Sequence, residues 1–315
     1  MQIKFWGSRG SIPNSMTESV IRAKLVYALD SYQRQLSSGK LPDIEEFIDS
    51  LPFMIRSTYG SNTPCVEIKG GTEIIVCDAG TGIKELGSAL LSDASSKNKV
   101  INLLLSHLHW DHIQGFPFFT PAYIQGYRIK IWSGHESFDQ ALQNQQMPPY
   151  FPVKMEDMGS TISFHRIHPG EPFNIGGIDI LPEDQPHPGI SFGYAFTQKN
   201  QKFVYSTDVE LSYDDEELQK KFKAFYQDAD VLIVDGQFNL ADHLYTKQYW
   251  GHSSNLMTIE MALESNVKTL CLFHSEHTYD DLQLDKFYQD SIRYNSIYAP
   301  DNNMKILMAY DGLLI

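Results

Sequence analysis

The run His107-Leu108-His109-Trp110-Asp111-His112 limits what this chain can fold into more than any other feature. Its metal-type ligands come directly after the apolar stretch Val100-Ile101-Asn102-Leu103-Leu104-Leu105. That stretch reads as a buried strand, which puts the ligands at the strand's end and in the turn that follows. A turn aims neighbouring side chains to different sides. His107 and His109 are then placed to hold one ion, and Asp111 and His112 a second. The H-x-H-x-D-H spacing is far more specific than a lone pair of histidines.

The rest of the chain supplies strands and helices around that motif. Gln2–Trp6 alternates polar and apolar residues like a first strand. Thr63–Ile68 and Glu73–Cys77, joined through Gly70-Gly71, read as a hairpin. A helix follows over Ile83–Leu91. Further strands are expected at Arg128–Trp132, Gly177–Leu181, Phe192–Thr197, Lys202–Ser206, Val231–Val234, Thr269–Phe273 and Lys305–Ala309. Helices are expected at Glu136–Gln145, Asp214–Tyr226, Ser254–Ser265 and Asp280–Tyr294. Strands that first pair by hairpins and then alternate with helices predict an α/β fold of two mixed sheets packed face to face with helices outside, a four-layer αββα sandwich. One domain over residues 1–315 is expected, interrupted by a helical insertion over residues 14–57. There Ile21, Leu25, Ala28, Leu29, Tyr32 and Leu36 recur at helical spacing, Thr17 offers an N-cap, Ser37-Ser38-Gly39 a stop, and Pro42-Asp43 opens a shorter helix.

Charge and cysteine usage narrow the function classes. Lys plus Arg number 25 against 39 for Asp plus Glu, a formal net charge of -14. Nucleic-acid binding needs clustered cations, so no extended nucleic-acid surface is expected. A small anionic substrate remains compatible, because divalent ions set the local field. Cys65, Cys77 and Cys271 form no C-x-x-C pair, and each lies in or beside a strand pattern, so they read as buried and reduced. The first residues lack a signal-peptide pattern and no apolar run spans a bilayer. A cytoplasmic protein with no membrane partner is the expectation.

A two-ion hydrolytic centre needs about three protein ligands per ion, a bridging group and an open position. His187 follows the strand at Gly177–Leu181, Asp208 follows Lys202–Ser206, and His274 ends Thr269–Phe273. Taken singly, each has an ordinary reading: a hydrogen-bonded surface histidine, or an aspartate capping a helix. Taken together, their order and setting resemble the metallo-β-lactamase superfamily. The resemblance implies His107, His109 and His187 on one ion, Asp111, His112 and His274 on the other, and Asp208 between them. Two divalent ions are implied, zinc by default, with manganese and iron also suited to imidazole and carboxylate ligands. His135, His165, His168 and His243 match no motif.

Further stretches are similar to the branch containing ribonuclease Z, the PhnP-type enzymes and cyclic-nucleotide phosphodiesterases. They are Phe5–Pro13, Tyr59–Cys65, Asp78–Gly82 and Trp250-Gly251-His252-Ser253-Ser254. The last resembles the His-Ser-Thr motif of ribonuclease Z-like enzymes, with Ser254 in third place. The resemblance implies that His252 protonates the leaving oxygen; the alternative is that His252 or Ser253 caps the following helix. Asp78 either orients a metal-binding histidine or forms a turn before Gly80. His277 faces either the pocket or the surface. At Asp235 the family often has His-Asp or His-Glu, whereas this chain has Val234 before it, so no role follows for that segment.

These features predict a dinuclear-metal hydrolase that cleaves a small cyclic nucleotide or other cyclic phosphodiester through a hydroxide bridging the ions, with Asp111 and His252 as catalytic groups. Three other readings remain: a tRNA 3′-processing endonuclease, a thioester or lactam hydrolase, and a non-catalytic metal-bearing sensor. Residues 14–57 carry acidic and basic side chains in mixture and form no basic platform for tRNA. Covering the site mouth or making a homodimer contact are the roles expected of them.

Overall fold

Chain order and strand pairing together fix where the loops gather. The computed structural model describes residues 1–41, 43–93, 99–247 and 249–315; the Pro42 part of the expected helix start lies outside them. In the first sheet β1 (Gln2–Gly7), β2 (Cys65–Lys69) and β3 (Ile74–Cys77) pair antiparallel. Then β4 (Val100–Leu104), β5 (Arg128–Ser133) and β6 (Thr161–Arg166) continue in parallel. The second sheet begins with the antiparallel strands β7 (Phe173–Ile175), β8 (Ile178–Gln185), β9 (Ser191–Gln198) and β10 (Gln201–Ser206). It continues in parallel through β11 (Val231–Asp235), β12 (Thr269–Phe273) and β13 (Lys305–Met308).

The segment between β1 and β2, expected as an insertion, holds α1 (Glu18–Ser37), α2 (Ile44–Ser50) and α3 (Phe53–Arg56). Thr17 caps α1 by accepting from the Val20 N–H, and Asp43 caps α2 by accepting from Glu45 and Glu46. Later helices are α4 (Ile83–Ser92), the single turn α5 (Trp110–Ile113), α6 (Phe138–Gln145), α7 (Glu216–Tyr226), α8 (Leu240–Tyr245), α9 (Asn255–Glu264) and α10 (Asp281–Tyr298).

Side chains alternate across each strand, and both faces of both sheets are covered. Ile75, Cys77, Phe203, Tyr205, Ile233, Cys271 and Phe273 point between the sheets and pack with Phe5, Val66 and Tyr194. Their neighbours point outward: Val76 packs with Ile83 and Leu86 of α4, while Val204, Leu232, Val234, Leu270 and Leu272 pack with Phe222, Tyr226 and Ile259. Double burial explains why these strands read as continuous apolar runs rather than alternating ones. Fully burying each large apolar side chain contributes roughly 1.5–3 kcal/mol. The αββα sandwich expected from the sequence is therefore present, and the three cysteines are free and buried.

Several elements escaped the sequence reading. β6 alternates Ile162 and Phe164 with polar residues but is only part-buried over residues 162–165, and β7 is three residues long with Ile175 alone buried. β8 runs past Leu181 to Gln185 through Pro182; β7 pairs only with Ile178–Ile180, so Pro182 lies where no ladder donor is needed toward β7. α8 is a short turn of helix capped by Asn239. Among the described residues no helix is long and apolar enough to cross a membrane.

Candidate metal centre

Every ligand-type residue of the site follows a strand at the same edge of the sandwich. Asp78 follows β3, His107 follows β4, His187 follows β8, Asp208 follows β10 and His274 follows β12. His109 is the residue before α5, which carries Asp111 and His112. Asp78, Asp208 and His274 adopt left-handed backbone (φ 62°, 52° and 58°). For a residue with a Cβ this costs of order 1–3 kcal/mol, and such strain gathers at functional sites.

The structure brings together the seven residues that the resemblance implies as ligands. Four atoms enclose one position: Asp111 Oδ2, His112 Nε2, His274 Nε2 and Asp208 Oδ1. His112 Nε2 is 3.2 Å from His274 Nε2 and 3.3 Å from both Asp111 Oδ2 and Asp208 Oδ1. His274 Nε2 is 3.1 Å from Asp111 Oδ2 and 3.4 Å from Asp208 Oδ1. A tetrahedron with metal–ligand bonds of about 2.0–2.1 Å has edges of roughly 3.3 Å, so these spacings fit a divalent cation. His107, His109 and His187 form a second group. There His187 Nε2 is 3.2 Å from His109 Nδ1. The other oxygen of Asp208, Oδ2, faces this group, 3.7 Å from His107 Nε2 and 3.9 Å from His187 Nε2. Thus one carboxylate turns one oxygen to each group. His107 Nε2 is buried with no hydrogen-bond partner, as expected of a donor atom reserved for a cation.

Neighbouring groups hold these ligands in the required tautomers. His112 Nδ1 lies 2.8 Å from Asp78 Oδ2, leaving Nε2 turned into the site. Asp78 is itself tied down by the Ser106 N–H, the Ser106 hydroxyl and the Tyr205 hydroxyl (2.7, 2.8 and 2.6 Å). His187 Nδ1–H donates to the Gly251 carbonyl at 2.8 Å. Gly251 sits at φ 88°, and a Cβ there would come within 2.1 Å of His187 Nδ1. The loop after β1 covers the other group: the Ser11 N–H donates to Asp111 Oδ2 at 2.8 Å, and a Cβ on Gly10 would meet His274 Nδ1 at 2.6 Å. The buried Arg9 pins this loop by donating to the carbonyls of Gly60, Glu276 and Tyr279.

The electrostatics suit cation binding. Burial lowers the pKa of His107, His109 and His187, the last to about 4, and keeps them neutral with free lone pairs. Burial opposes ionisation of Asp111 and Asp208, but the surrounding histidines outweigh it and hold both well below the usual carboxylate range. Burial likewise disfavours protonated His112, yet Asp208, Asp111 and Asp78 together raise it. Such a concentration of carboxylates calls for positive charge, which a proton or a metal ion supplies.

His252 lies beside the two groups. Its ring stacks on His274 at 5.1 Å between centroids, and its Nδ1 is 2.5 Å from Asp235 Oδ2 and 4.0 Å from Asp208 Oδ2. Burial opposes its protonation, but Asp235 more than offsets this and its pKa rises to about 9. Capping of α9 falls to the Ser254 hydroxyl, which accepts from the Met257 N–H; Ser253 instead bridges Leu211 N–H and the Val209 carbonyl. Neither alternative reading of the His252-Ser253 pair as the cap is needed.

Asp235 is the site residue that the sequence reading passed over, because Val234 departs from the family pattern. A signal was present: a carboxylate ending β11, between strands whose ends carry Asp208 and His274. Conversely, His277 is not drawn into either group. Its side chain is 36 % exposed beside Glu276, in a cleft shared with Arg9 and Asn14. Three of the histidines without a motif have packing accounts: His165 stacks on Trp132, His135 meets Phe192 edge-on, and His243 is buried in α8.

Comparison with known proteins agrees with this geometry. A model of the β-lactamase superfamily domain matches residues 73–275. No curated protein sequence matches the chain. Among solved structures, the metallo-β-lactamase fold protein YhfI from Bacillus subtilis is similar over 100 % of this chain and 98 % of its own, at 16 % identity and TM-score 0.63. A diphosphatase from the PhnP family is similar over 100 % and 96 %, at 17 % identity and TM-score 0.63. The short form of human tRNase Z is similar over 100 % and 98 %, at 15 % identity and TM-score 0.61. With the family model covering most of the chain and the ligand-bearing strand ends in place, this chain belongs to the β-lactamase superfamily and has the metallo-β-lactamase fold.

Proposed function

We propose that the protein is a dinuclear metal-dependent hydrolase of small phosphodiesters, cyclic ones foremost. The observation that carries this reading is Asp208, whose two carboxylate oxygens face two separate ligand groups. His107, His109 and His187 would hold one ion, and Asp111, His112 and His274 the other. When bound, a divalent pair supplies activation of water at neutral pH and Lewis-acid polarisation of a phosphoryl oxygen. Zinc fits the ligand set; manganese and iron suit imidazole and carboxylate too.

The chain's own contribution beyond the ligands centres on His252. Asp235 takes up Nδ1 and fixes the ring, so Nε2 is the position from which a proton reaches a departing alkoxide. Such transfer is typically worth ~10²–10⁴ in rate, and it matters most for poor leaving groups. A thiolate leaves without a proton, so a paired Asp235–His252 favours an oxygen ester over a thioester. The fold shared with a diphosphatase and a tRNase is in keeping with phosphoryl chemistry, and the net charge of -14 favours a small substrate over tRNA.

The test is turnover of a panel of cyclic and linear phosphodiesters, thioesters and lactams, and tRNA precursors, by protein loaded with zinc or manganese. Cyclic or small linear phosphodiesters should be the fastest substrates. Faster turnover of thioesters, lactams or tRNA would replace this reading.

A further inference from the structure

The longest helix between β1 and β2 has a face that is exposed among the described residues and carries a self-complementary pattern. Val20, Lys24, Ala28, Ser31, Tyr32 and Gln35 are the part-buried positions of α1. They recur at three- and four-residue spacing and face the rest of the chain, with Tyr32 edge-on to Phe47 and Lys24 paired with Asp281. At about 100° per residue, the opposite side of the helix is centred on Val26. Along it runs the row Glu18, Arg22, Val26, Asp30, Arg34, every member exposed and four residues from the next. Leu25, Leu29 and Leu36 lie beside this row, 58 %, 67 % and 41 % exposed. No residue of α1 is buried.

The charges along the row read negative, positive, apolar, negative, positive. Reversed, that order is its own complement. Laid antiparallel on a second α1 with Val26 at the twofold axis, Glu18 meets Arg34 and Arg22 meets Asp30, and each meeting occurs twice. Laid parallel, each charge would meet its like. A twofold interface requires one patch to complement itself, and a different partner would impose no such symmetry. We propose that this face of α1 is a homodimer interface, with two copies of the chain packing α1 against α1 antiparallel about Val26.

The contact is small. A helix about 30 Å long and ~10 Å wide offers roughly 300 Å², short of the ~800 Å² per partner in a stable complex. Dimerisation is therefore expected in the micromolar range and should weaken with salt.

Sedimentation of the full chain across about 1–200 µM at low salt tests this. The mass should rise toward twice 35.9 kDa. Arg22→Asp alone and Asp30→Arg alone each oppose like charges twice and should weaken the dimer at least about tenfold. The double variant restores both meetings and should recover most of the loss, although it keeps every change made within the helix. Separately, Val26→Cys should cross-link to itself under mild oxidation, since antiparallel helices bring residues on the axis within disulfide reach, while Ser37→Cys should not. A chain monomeric at every concentration, single variants that associate like the parent, a double variant no stronger than the singles, or Val26→Cys that fails to cross-link would each overturn the proposal.

Discussion

His252 Nδ1 lies 2.5 Å from Asp235 Oδ2, at the end of the strand between those that deliver Asp208 and His274. This pairing holds the imidazole in one tautomer and raises its pKa from 6.5 to about 9, against the lowering effect of burial. Asp235→Asn removes the main raising influence, so in metal-free protein the His252 ring should titrate well below 9, as read by histidine NMR. The sign follows from the shift. A histidine with a folded pKa above its unfolded value stabilises the fold fully below about 6.5, and that contribution is lost as pH rises through about 9. The variant should lose this dependence. In the metal-loaded enzyme it should slow alkyl diesters by ~10²–10⁴ and aryl diesters far less; equal losses for both would remove the acid role.

Asp208 should be indispensable for holding two ions together. Asp208→Ala is expected to bind at most one ion per chain and to show no measurable turnover. Elemental analysis of the gel-filtered protein provides the check. A variant that keeps two tightly bound ions would rule out the bridging arrangement.

Asp78 controls His112 from behind. Asp78→Asn replaces an acceptor-only carboxylate with an amide, weakening the hold on His112 Nδ1 and unsettling the bonds from Ser106 and Tyr205. Metal affinity should fall about 10–100-fold, measured by competition with a chelator. Unchanged affinity would reduce Asp78 to a turn former.

Gly251 should tolerate no side chain. Gly251→Ala places a Cβ at φ 88° and 2.1 Å from His187 Nδ1, which forces the loop or the imidazole to move. Affinity of one ion should fall by about tenfold or more, with the other ion's retained, and calorimetric titration separates the two. Full retention of both would mean that the Gly251 carbonyl does not position His187.

Chelation should lower the melting temperature, because Asp111 and Asp208 then lose the cations that offset their charge. Zinc or manganese added back should restore it in proportion to ln(1 + [L]/Kd). No change on chelation would argue against tightly held ions.

Much of this was legible along the chain because the informative signals are local. His107, His109, Asp111 and His112 are neighbours in sequence, and His187, Asp208 and His274 each close or follow an apolar run. The strands buried on both faces announce themselves by composition, and Thr17 and Asp43 mark the helix starts they cap. Signals faded where the apolar content was low, as in β6, whose alternation rests on Ile162 and Phe164 alone, and where the strand was short, as in the three residues of β7.

Residue types and their spacing by themselves determined the sandwich, the positions of its apolar strands and the ligand-type run His107–His112; His187, Asp208 and His274 joined it through the resemblance to the metallo-β-lactamase superfamily. Only the tertiary structure decided which Asp208 oxygen faces which group, that Asp235 rather than a helix end receives His252, that His277 lies outside both groups, and that no residue of α1 is buried. Propensity and periodicity depend on residues a few positions apart, so they can be read from the chain. A distance between side chains from different strand ends depends on sheet register and on how the layers pack, and these are properties of the whole fold.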